Sequence, residues 1–362
     1  MIDFRYHLVS LISVFLALAV GIVLGAGPLK EAIGDTLTGE VDDLRASASQ
    51  LRSDLDRSQT ELSHSEDAFA SVAPDLLAGV LPGRRVAIVE LGAPESGAAK
   101  DVVDRFTQAG ATVSATARLT DEWTDTARRT YRQTLAASVA EYLDPKPDLS
   151  AGTPEQLAEA LVQALSNPDP ADPDALSSDA TVVLQLLVEG GLVELSGDVT
   201  QPADAVVVLV GEDADTPEKA ADAEATPEPS DEERAALKEQ QSAAVELALA
   251  ATRRTEGVVV AGFGLAEDGV LRRVRSDDAT SSTVSTVAYV QSVVGAASVP
   301  LALAQRISGE TGHYGPDGDA TAPVPPRVAL AEPDRTPSTP PDGDATPDGT
   351  QPSPGDGSSG QG

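Results

Sequence analysis

The first pattern along the chain is an apolar run from Leu8 to Ala26, nineteen residues without a charged side chain. At about 1.5 Å per helical residue this run reaches about 29 Å, close to the roughly 30 Å hydrocarbon core of a bilayer. It is longer than the roughly 7–15-residue core of a secretory signal, and Leu24-Gly25-Ala26 is a mediocre cleavage site. Residues 1–28 are therefore predicted to be an uncleaved signal anchor; a cleaved signal and a buried core helix are the alternatives.

The charges beside this run predict its orientation. Arg5 and the amino terminus precede it, whereas Lys30 and Glu31 cancel each other after it. By the positive-inside rule the N-terminus should stay in the cytoplasm, and the rest of this single-pass protein should be exported. Ala17, Gly21 and Gly25 recur at four-residue spacing, which is typical either of a helix-packing face or simply of an Ala-rich chain.

A second pattern, with apolar residues at 3.5-residue spacing, follows from Leu37 to Val72. It predicts a coiled-coil stalk over residues 29–73, and we prefer parallel self-association of a homo-oligomer through the anchor and the stalk. The alternative is a helix that packs on its own domain. The a positions are Val41, Ala48, Leu55, Leu62 and Phe69, and the d positions are Leu37, Leu44, Leu51, Ser58, Ser65 and Val72. Glu40 at g and Arg45 at the next e are placed to pair between parallel chains.

Continuous apolar strands alternating with helices predict an α/β domain over residues 84–315. A parallel sheet covered on both faces, Rossmann-like or flavodoxin-like, is the expected architecture. The predicted strands are Arg84–Leu91, Thr112–Ala117, Ala205–Val210 and Gly257–Ala261. The predicted helices are Pro94–Gly110, Asp121–Leu143, Pro154–Leu165, Ala180–Glu189 and Glu232–Thr252.

Two polar segments interrupt or follow this domain. An acidic loop at about 212–231 and a Pro-, Gly- and Asp-rich tail at 316–362 are predicted to be disordered. With 25 Lys and Arg against 58 Asp and Glu, the formal net charge is −33, which argues against nucleic acid as a partner. Cysteine is absent, which excludes a disulfide framework and a thiol nucleophile.

Chemistry-bearing motifs are scarce. Gly262-Phe263-Gly264 follows a predicted strand, but Glu267 stands where a dinucleotide loop needs its third glycine. Gly92-Ala93-Pro94-Glu95 is equally unsuited to cradle a phosphate. Only His313 among the three histidines belongs near the domain, and no nucleophile is marked beside it. We therefore expect neither an enzyme nor a bound cofactor.

The segment from Gly309 to Gly315 is the most unusual short stretch, with three glycines around His313 and Tyr314. Glycines at this density predict sharp turns and close backbone approach. Two interpretations stay open: the pair packs back on the domain, or it contacts a ligand or cation. His313 and Tyr314 are thus weak candidates for metal contact.

Two stretches carry specific motifs: residues 1–29, and a second stretch that contains Val284-Ser285-Thr286-Val287, Gly295 and Gly309 through Gly315. Both resemble the MctB-type copper-transport proteins of actinobacteria. The family pattern continues Ser-Thr-Val with Asp, whereas this chain has Ala288. The resemblance spans about residues 1–315, weakly in its middle, and implies a membrane or envelope protein that lowers intracellular copper.

Copper is implied here by the resemblance alone, as the transported ion. Copper(I) prefers thiolate and thioether ligands, and copper(II) prefers imidazole. With no Cys, one Met and three scattered His, a high-affinity copper site within one chain is not expected. One transmembrane helix encloses no pore, so transport requires an oligomer or a partner. The alternative function is a non-enzymatic envelope scaffold whose coiled coil and α/β body bind a protein partner.

Overall fold

The computed structural model describes residues 4–26, 28–92, 96–147, 151–211, 231–266, 269–337 and 362. The chain divides into two compact units, Met1–Ala68 and Phe69–Gly362. The first unit contains helix α1 (Phe4–Ala26) and most of helix α2 (Pro28–Leu77). The second unit is the α/β body. The predicted acidic loop lies outside the described residues, apart from Asp231, which begins a helix.

Helix α1 carries its apolar side chains outward. From Phe4 to Val23 its mean hydropathy is 2.3, and none of this stretch is buried within the structure. The hydroxyl of Ser13 donates to the carbonyl of Val9 at 2.8 Å, so this polar group is satisfied inside the helix. The helix is therefore long and apolar enough to cross a bilayer, and no buried packing face marks it as a core helix.

Helix α2 has fifty residues, which corresponds to about 75 Å of helix. Its two ends are packed differently. Near its C-terminus, Ala73 and Leu77 are fully buried in the body core and Phe69 packs against it, so here the helix packs on its own domain. Over residues 41–62, the apolar side chains of Val41, Leu44, Leu51, Leu55 and Leu62 are exposed.

The body is built on a seven-stranded, mostly parallel sheet in the order β3-β2-β1-β4-β5-β6-β7. Its strands are β1 (Arg85–Leu91), β2 (Thr112–Leu119), β3 (Val193–Leu195), β4 (Ala205–Val210), β5 (Val258–Gly262), β6 (Ser285–Val287) and β7 (His313–Tyr314). Its helices are α3 (Ser96–Gln108), α4 (Asp121–Thr124), α5 (Arg129–Val139), α6 (Thr153–Ser166), α7 (Ser178–Glu189), α8 (Asp231–Arg254), α9 (Val270–Ser276) and α10 (Val293–Ile307). Short 3-10 turns lie at Thr126–Arg128 and Ala140–Tyr142.

The central strands are apolar on both faces because helices cover both. Alternate residues of β1 separate cleanly: Val86 and Ile88 join a core with α3, α10 and the end of α2. Ala87 and Val89 join the core formed with α6, α7, α8 and α9. The predicted parallel sheet is confirmed for six strands, whereas β3 runs antiparallel to β2.

The predicted helix Asp121–Leu143 is wrong as a continuous element. Asp125 has an extended backbone (φ −60°, ψ 119°), and its carboxylate accepts from the amide of Ala127 at 2.8 Å, which starts a new turn. The buried Arg132 donates to the carbonyls of Glu122, at 3.0 Å, and Asp125. These bonds satisfy backbone groups that the break releases, so a local cap overrides the helical period.

The prediction of a disordered tail from residue 316 is wrong for residues 316–337. Residues 322–337 form a C-terminal strap that contains no helix, and its Val324 and Leu330 pack against the core. Arg327 donates to the carbonyls of Leu76 (3.1 Å) and Ala78 (2.8 Å), which caps the end of α2. Composition missed the strap because a few apolar and basic residues among many prolines supply these contacts. The remaining tail, 338–361, lies outside the described residues.

The strap is expected to stabilise the body. A chain ending at residue 321 should lose about 3 kcal/mol of unfolding free energy, from the buried apolar area and the helix cap. Fluorescence of the single tryptophan, Trp123, which is 4% exposed, reports unfolding of the detergent-solubilised chain. A chain ending at 337 is the matched control and should unfold like the full chain; equal stability of all three would refute the strap's role.

Candidate functional site

The Gly309–Gly315 segment connects α10 to the edge strand β7. After α10 ends, the amide of Gly309 bonds to the carbonyl of Arg306 at 3.0 Å. Strand β7 then lies parallel to β6, with His313 opposite Thr286 and Tyr314 opposite Val287. The segment that the sequence singled out is therefore the closing edge of the sheet.

His313 and Tyr314 do not form one site, because successive strand residues point to opposite faces. Tyr314 is 1% exposed, belongs to the core with α3 and α10, and donates its hydroxyl to Gln305 Oε1. Burial raises the pKa of Tyr314 above its ordinary value of 10.0, so its phenol stays protonated at neutral pH. A Cβ on Gly312 would lie 2.1 Å from the Tyr314 hydroxyl oxygen, so this position requires glycine.

His313 faces the other side and lines a cavity of about 220 Å³. The other lining residues are Leu265, Arg272, Arg275, Ser276 and Asp319. Its Nδ1 lies 3.0 Å from Thr286 Oγ1. Burial, and then the charge of Arg275, lowers the pKa of His313 below its ordinary value of 6.5, so the ring is neutral at pH 7.

Arg275 organises this edge of the sheet. Its side chain is 8% exposed and donates to Thr286 Oγ1 (2.8 Å), Asp317 Oδ1 (2.9 Å) and the carbonyl of Tyr314 (3.1 Å). It therefore ties α9, β6, β7 and the following turn together. Sequence reasoning missed Arg275 and Asp317, and it placed Thr286 in the resembling motif without a role. A signal for Arg275 was the basic run Arg272, Arg273 and Arg275 in an acidic chain.

The arrangement around His313 does not match a resident metal site. Within the described residues no three His, Cys, Asp or Glu side chains are grouped closely enough to hold a metal ion. Asp317 Oδ1 is bound to Arg275, while its buried Oδ2 lacks a hydrogen-bond partner in the described part of the chain. Arg272 lies 3.5 Å from Asp319, and two guanidinium groups beside one imidazole disfavour a cation.

The neutral His313 makes a testable contribution to stability. The folded protein disfavours the imidazolium, so its stability is expected to fall as pH drops below 6.5, where the unfolded chain takes up the proton. His313→Asn, whose amide oxygen can replace Nδ1, should flatten this fall between about pH 7.5 and pH 5.5. His64→Asn replaces an exposed stalk histidine outside this cavity and is the matched substitution control. Identical slopes for all three proteins would contradict this assignment.

Of the two remaining glycine motifs, Gly262-Phe263-Gly264 is described, whereas residues 93–95 of Gly92-Ala93-Pro94-Glu95 lie outside the described residues. At the end of β5, Phe263 of Gly262-Phe263-Gly264 is 2% exposed, and its carbonyl accepts from Gln291 Nε2 at 2.9 Å. Beyond β1, a shallow cavity of about 330 Å³ lies between Gly92, Arg118 and Glu194. Arg118 is also 3.0 Å from the buried carboxylate of Glu90, an ion pair that holds β2 to β1.

Comparison with known proteins extends over nearly the whole chain. The chain is 29% identical over 328 residues to the copper transporter MctB of Mycobacterium tuberculosis, and the alignment covers 87% of this chain and 96% of that protein. Against the copper transporter MctB of Mycobacterium leprae the identity is 26% over 334 residues, covering 89% and 98%. The profile of the family described as copper transport outer membrane protein, MctB, matches residues 1–325. The chain therefore belongs to the MctB copper transport family.

Proposed function

We propose that this protein is a membrane-anchored component of copper transport in the cell envelope that contributes to copper efflux as a homo-oligomer. The observation that carries this proposal is the family match from residue 1 to 325, which includes α1, α2 and the whole sheet. Membership of a transport family confirms the expectation that the protein is not an enzyme.

The membrane assignment rests on α1. Its apolar side chains are exposed along the helix, and transferring them from water to hydrocarbon is favourable. The cation asymmetry across the segment favours a cytoplasmic N-terminus, which would place the stalk and body outside the cytoplasm. Residues 29–68 would then form the stalk, and residues 69–337 the extracytoplasmic body.

The route for copper has to involve more than one chain. A single helix encloses no path, and the described residues hold no cluster of three metal-ligating side chains. We propose that copper passes transiently between groups of several subunits instead of occupying a resident site in one. Tyr314 is assigned a packing role, and only His313 of the two candidates faces a cavity.

The body itself is inferred to be of the doubly wound, Rossmann-like type. The order of its first five strands, 3-2-1-4-5, reverses direction between β1 and β4, as in that fold, although β3 is antiparallel. Gly92 and Gly211 lie at this reversal, with a Cβ on Gly92 predicted 3.7 Å from Gly211 Cα. The two backbones are thus in close approach where related folds bind ligands.

The transport proposal is tested by deleting the gene and measuring cell-associated copper by mass spectrometry at several external copper concentrations. Deletion should raise cell copper and lower copper tolerance, and the full chain should restore both. Cell zinc is the control and should stay constant. Unchanged copper content and tolerance in the deletion strain would overturn the proposal.

A second candidate, an envelope scaffold, is favoured by one observation, the exposed apolar face of α2. Such a face needs a partner whether or not copper moves. Crosslinking that captures one defined envelope protein, together with normal copper content in the deletion strain, would support the scaffold over the transporter.

A further inference from the structure

The exposed face of α2 is a continuous stripe and not a scatter of apolar side chains. Val41, Leu44, Ala48, Leu51 and Leu55 occupy consecutive a and d positions of a heptad repeat. Leu44 and Leu51 are 69% and 70% exposed, while Ala48 is half-buried. A long helix in water is stabilised mainly by packing of its apolar face, so we expect this stripe to pack against a partner helix.

Charges beside the stripe identify the partner. Glu40 at g faces Arg45 at the following e of a second copy when two chains run parallel, and this is an attractive pair. In an antiparallel arrangement e faces e, which would set Arg45 and Arg52 of the two chains against each other. The only intrachain bond of Arg45 in the described residues, 3.1 Å to Asp42, joins side chains that are 75% and 65% exposed, so it competes weakly.

The stripe weakens farther along the helix. The next d positions are Ser58 and Ser65, and Ser65 already donates its hydroxyl to the carbonyl of Glu61 at 2.9 Å. Glu61 at g would face Glu66 at e of a parallel copy, which is a repulsive pair. The apolar layers and the Glu40–Arg45 pair therefore favour association before residue 58, whereas the serine layers and the Glu61–Glu66 pair disfavour it after.

We infer that two copies of this chain pair in parallel and in register through Val41–Leu55, and that the pairing loosens from Ser58 onward. The inference deepens the proposed function, because it rests on α1 anchoring both copies in one membrane in the same direction. It names the partner as a second copy of the chain and confines the contact to the membrane-proximal half of the stalk.

The absence of cysteine from the sequence makes this inference directly testable. Single-cysteine variants of the full chain, Leu44→Cys, Leu51→Cys, Ser65→Cys and Ser53→Cys, are oxidised in native membranes and resolved without reductant. Facing d positions in a parallel pair bring their Cβ atoms close to the roughly 3.5–4.5 Å that a disulfide needs. Ser53 at f points outward and is the matched control.

Leu44→Cys and Leu51→Cys should each give a dimer band several-fold stronger than Ser65→Cys, and Ser53→Cys should give none. Homotypic crosslinking at two positions seven residues apart requires a parallel register, since an antiparallel pair aligns only one layer with itself. No dimer at 44 and 51, or equal bands at all four positions, would overturn the inference. Cell copper is measured in the same strains, so that the pairing and the transport function are tested separately. The expected crosslinks together with unchanged cell copper on gene deletion would refute the transport function and leave the pairing intact.

Discussion

Replacement of Gly295 by alanine is expected to destabilise the α/β body more than any other single-methyl change considered. Gly295 lies in the first turn of α10, directly over the backbone of Tyr289, and an alanine Cβ would sit 2.0 Å from the Tyr289 carbonyl oxygen. Tyr289 has a positive φ of 61°, and the Ser292 hydroxyl both donates to its carbonyl and accepts from the Gly295 amide. The clashing atom is a backbone carbonyl oxygen that the Ser292 hydroxyl holds in place, so it cannot move away as a side chain could.

The expected loss is at least about 3 kcal/mol, the upper part of the range for overpacking a core. Denaturant unfolding followed by Trp123 fluorescence gives the free energy of the variant and of the wild type. Gly97→Ala is the matched control, because its Cβ would meet no atom within 4 Å and the residue lies in helix α3. That control should be neutral or slightly stabilising. A Gly295→Ala protein as stable as the control would contradict a close contact between Gly295 and the Tyr289 carbonyl.

Charging the middle of α1 is the second change with a large expected effect. Val14 and Leu18, 64% and 57% exposed, lie one turn apart near the centre of the apolar segment. Arginine costs roughly 2.5–3.5 kcal/mol at the centre of a membrane helix, so Val14→Arg with Leu18→Arg should cost roughly 5–7 kcal/mol. The doubly substituted protein should leave the membrane fraction and lose exposure to an externally added protease.

Val14→Leu with Leu18→Ile keeps the segment apolar and controls for substitution at the same positions. This control should fractionate with membranes as the wild type does. Retention of the double-arginine protein in carbonate-washed membranes would mean that α1 is not the anchor, and the proposed topology would fail with it.

The parts of the fold that could be predicted from sequence are those whose pattern is long and local. Strands β1, β4 and β5 are uninterrupted or nearly uninterrupted apolar runs, whereas β2 is a Thr- and Val-containing strand that is partly exposed. The predicted bounds of all four lie within two residues of the observed ends. Helix α7 was placed from Ala180 to Glu189 and is observed from Ser178 to Glu189. A strand that helices cover on both faces is apolar at nearly every position, so such a run can be recognised from the sequence alone.

Sequence reasoning missed helix α10 although its fifteen residues are largely apolar, and it missed two short strands that depend on distant partners. Strands β6 and β7 have three and two residues, too few for a period, and exist because they complete the sheet beside β5. The same pairing sends His313 and Tyr314 to opposite faces, which separates the two candidate residues. The role of Arg275 depends on its hydrogen bonds to Thr286, Asp317 and Tyr314, which lie 11, 42 and 39 residues away in the sequence.

The structure explains why two positions of the motif that resembles the family are glycine. Gly312 gives space to the Tyr314 ring, and Gly295 gives space to the Tyr289 carbonyl. Both glycines thus serve the packing around β6, β7 and α10. Of the two open interpretations, packing back on the body describes Tyr314, which lies in the core, whereas His313 lines a cavity.

Complementation of the gene-deletion strain distinguishes membrane-anchored copper transport from the alternatives. The gene-deletion strain is supplied with the full chain, with the Val14→Arg, Leu18→Arg chain, or with the Val14→Leu, Leu18→Ile chain, and the rate of copper loss from copper-loaded cells is measured. The full chain and the apolar control should restore copper efflux equally, while the double-arginine chain should leave it at the deletion rate. Equal efflux with and without the full chain, or full restoration by the double-arginine protein, would contradict the account.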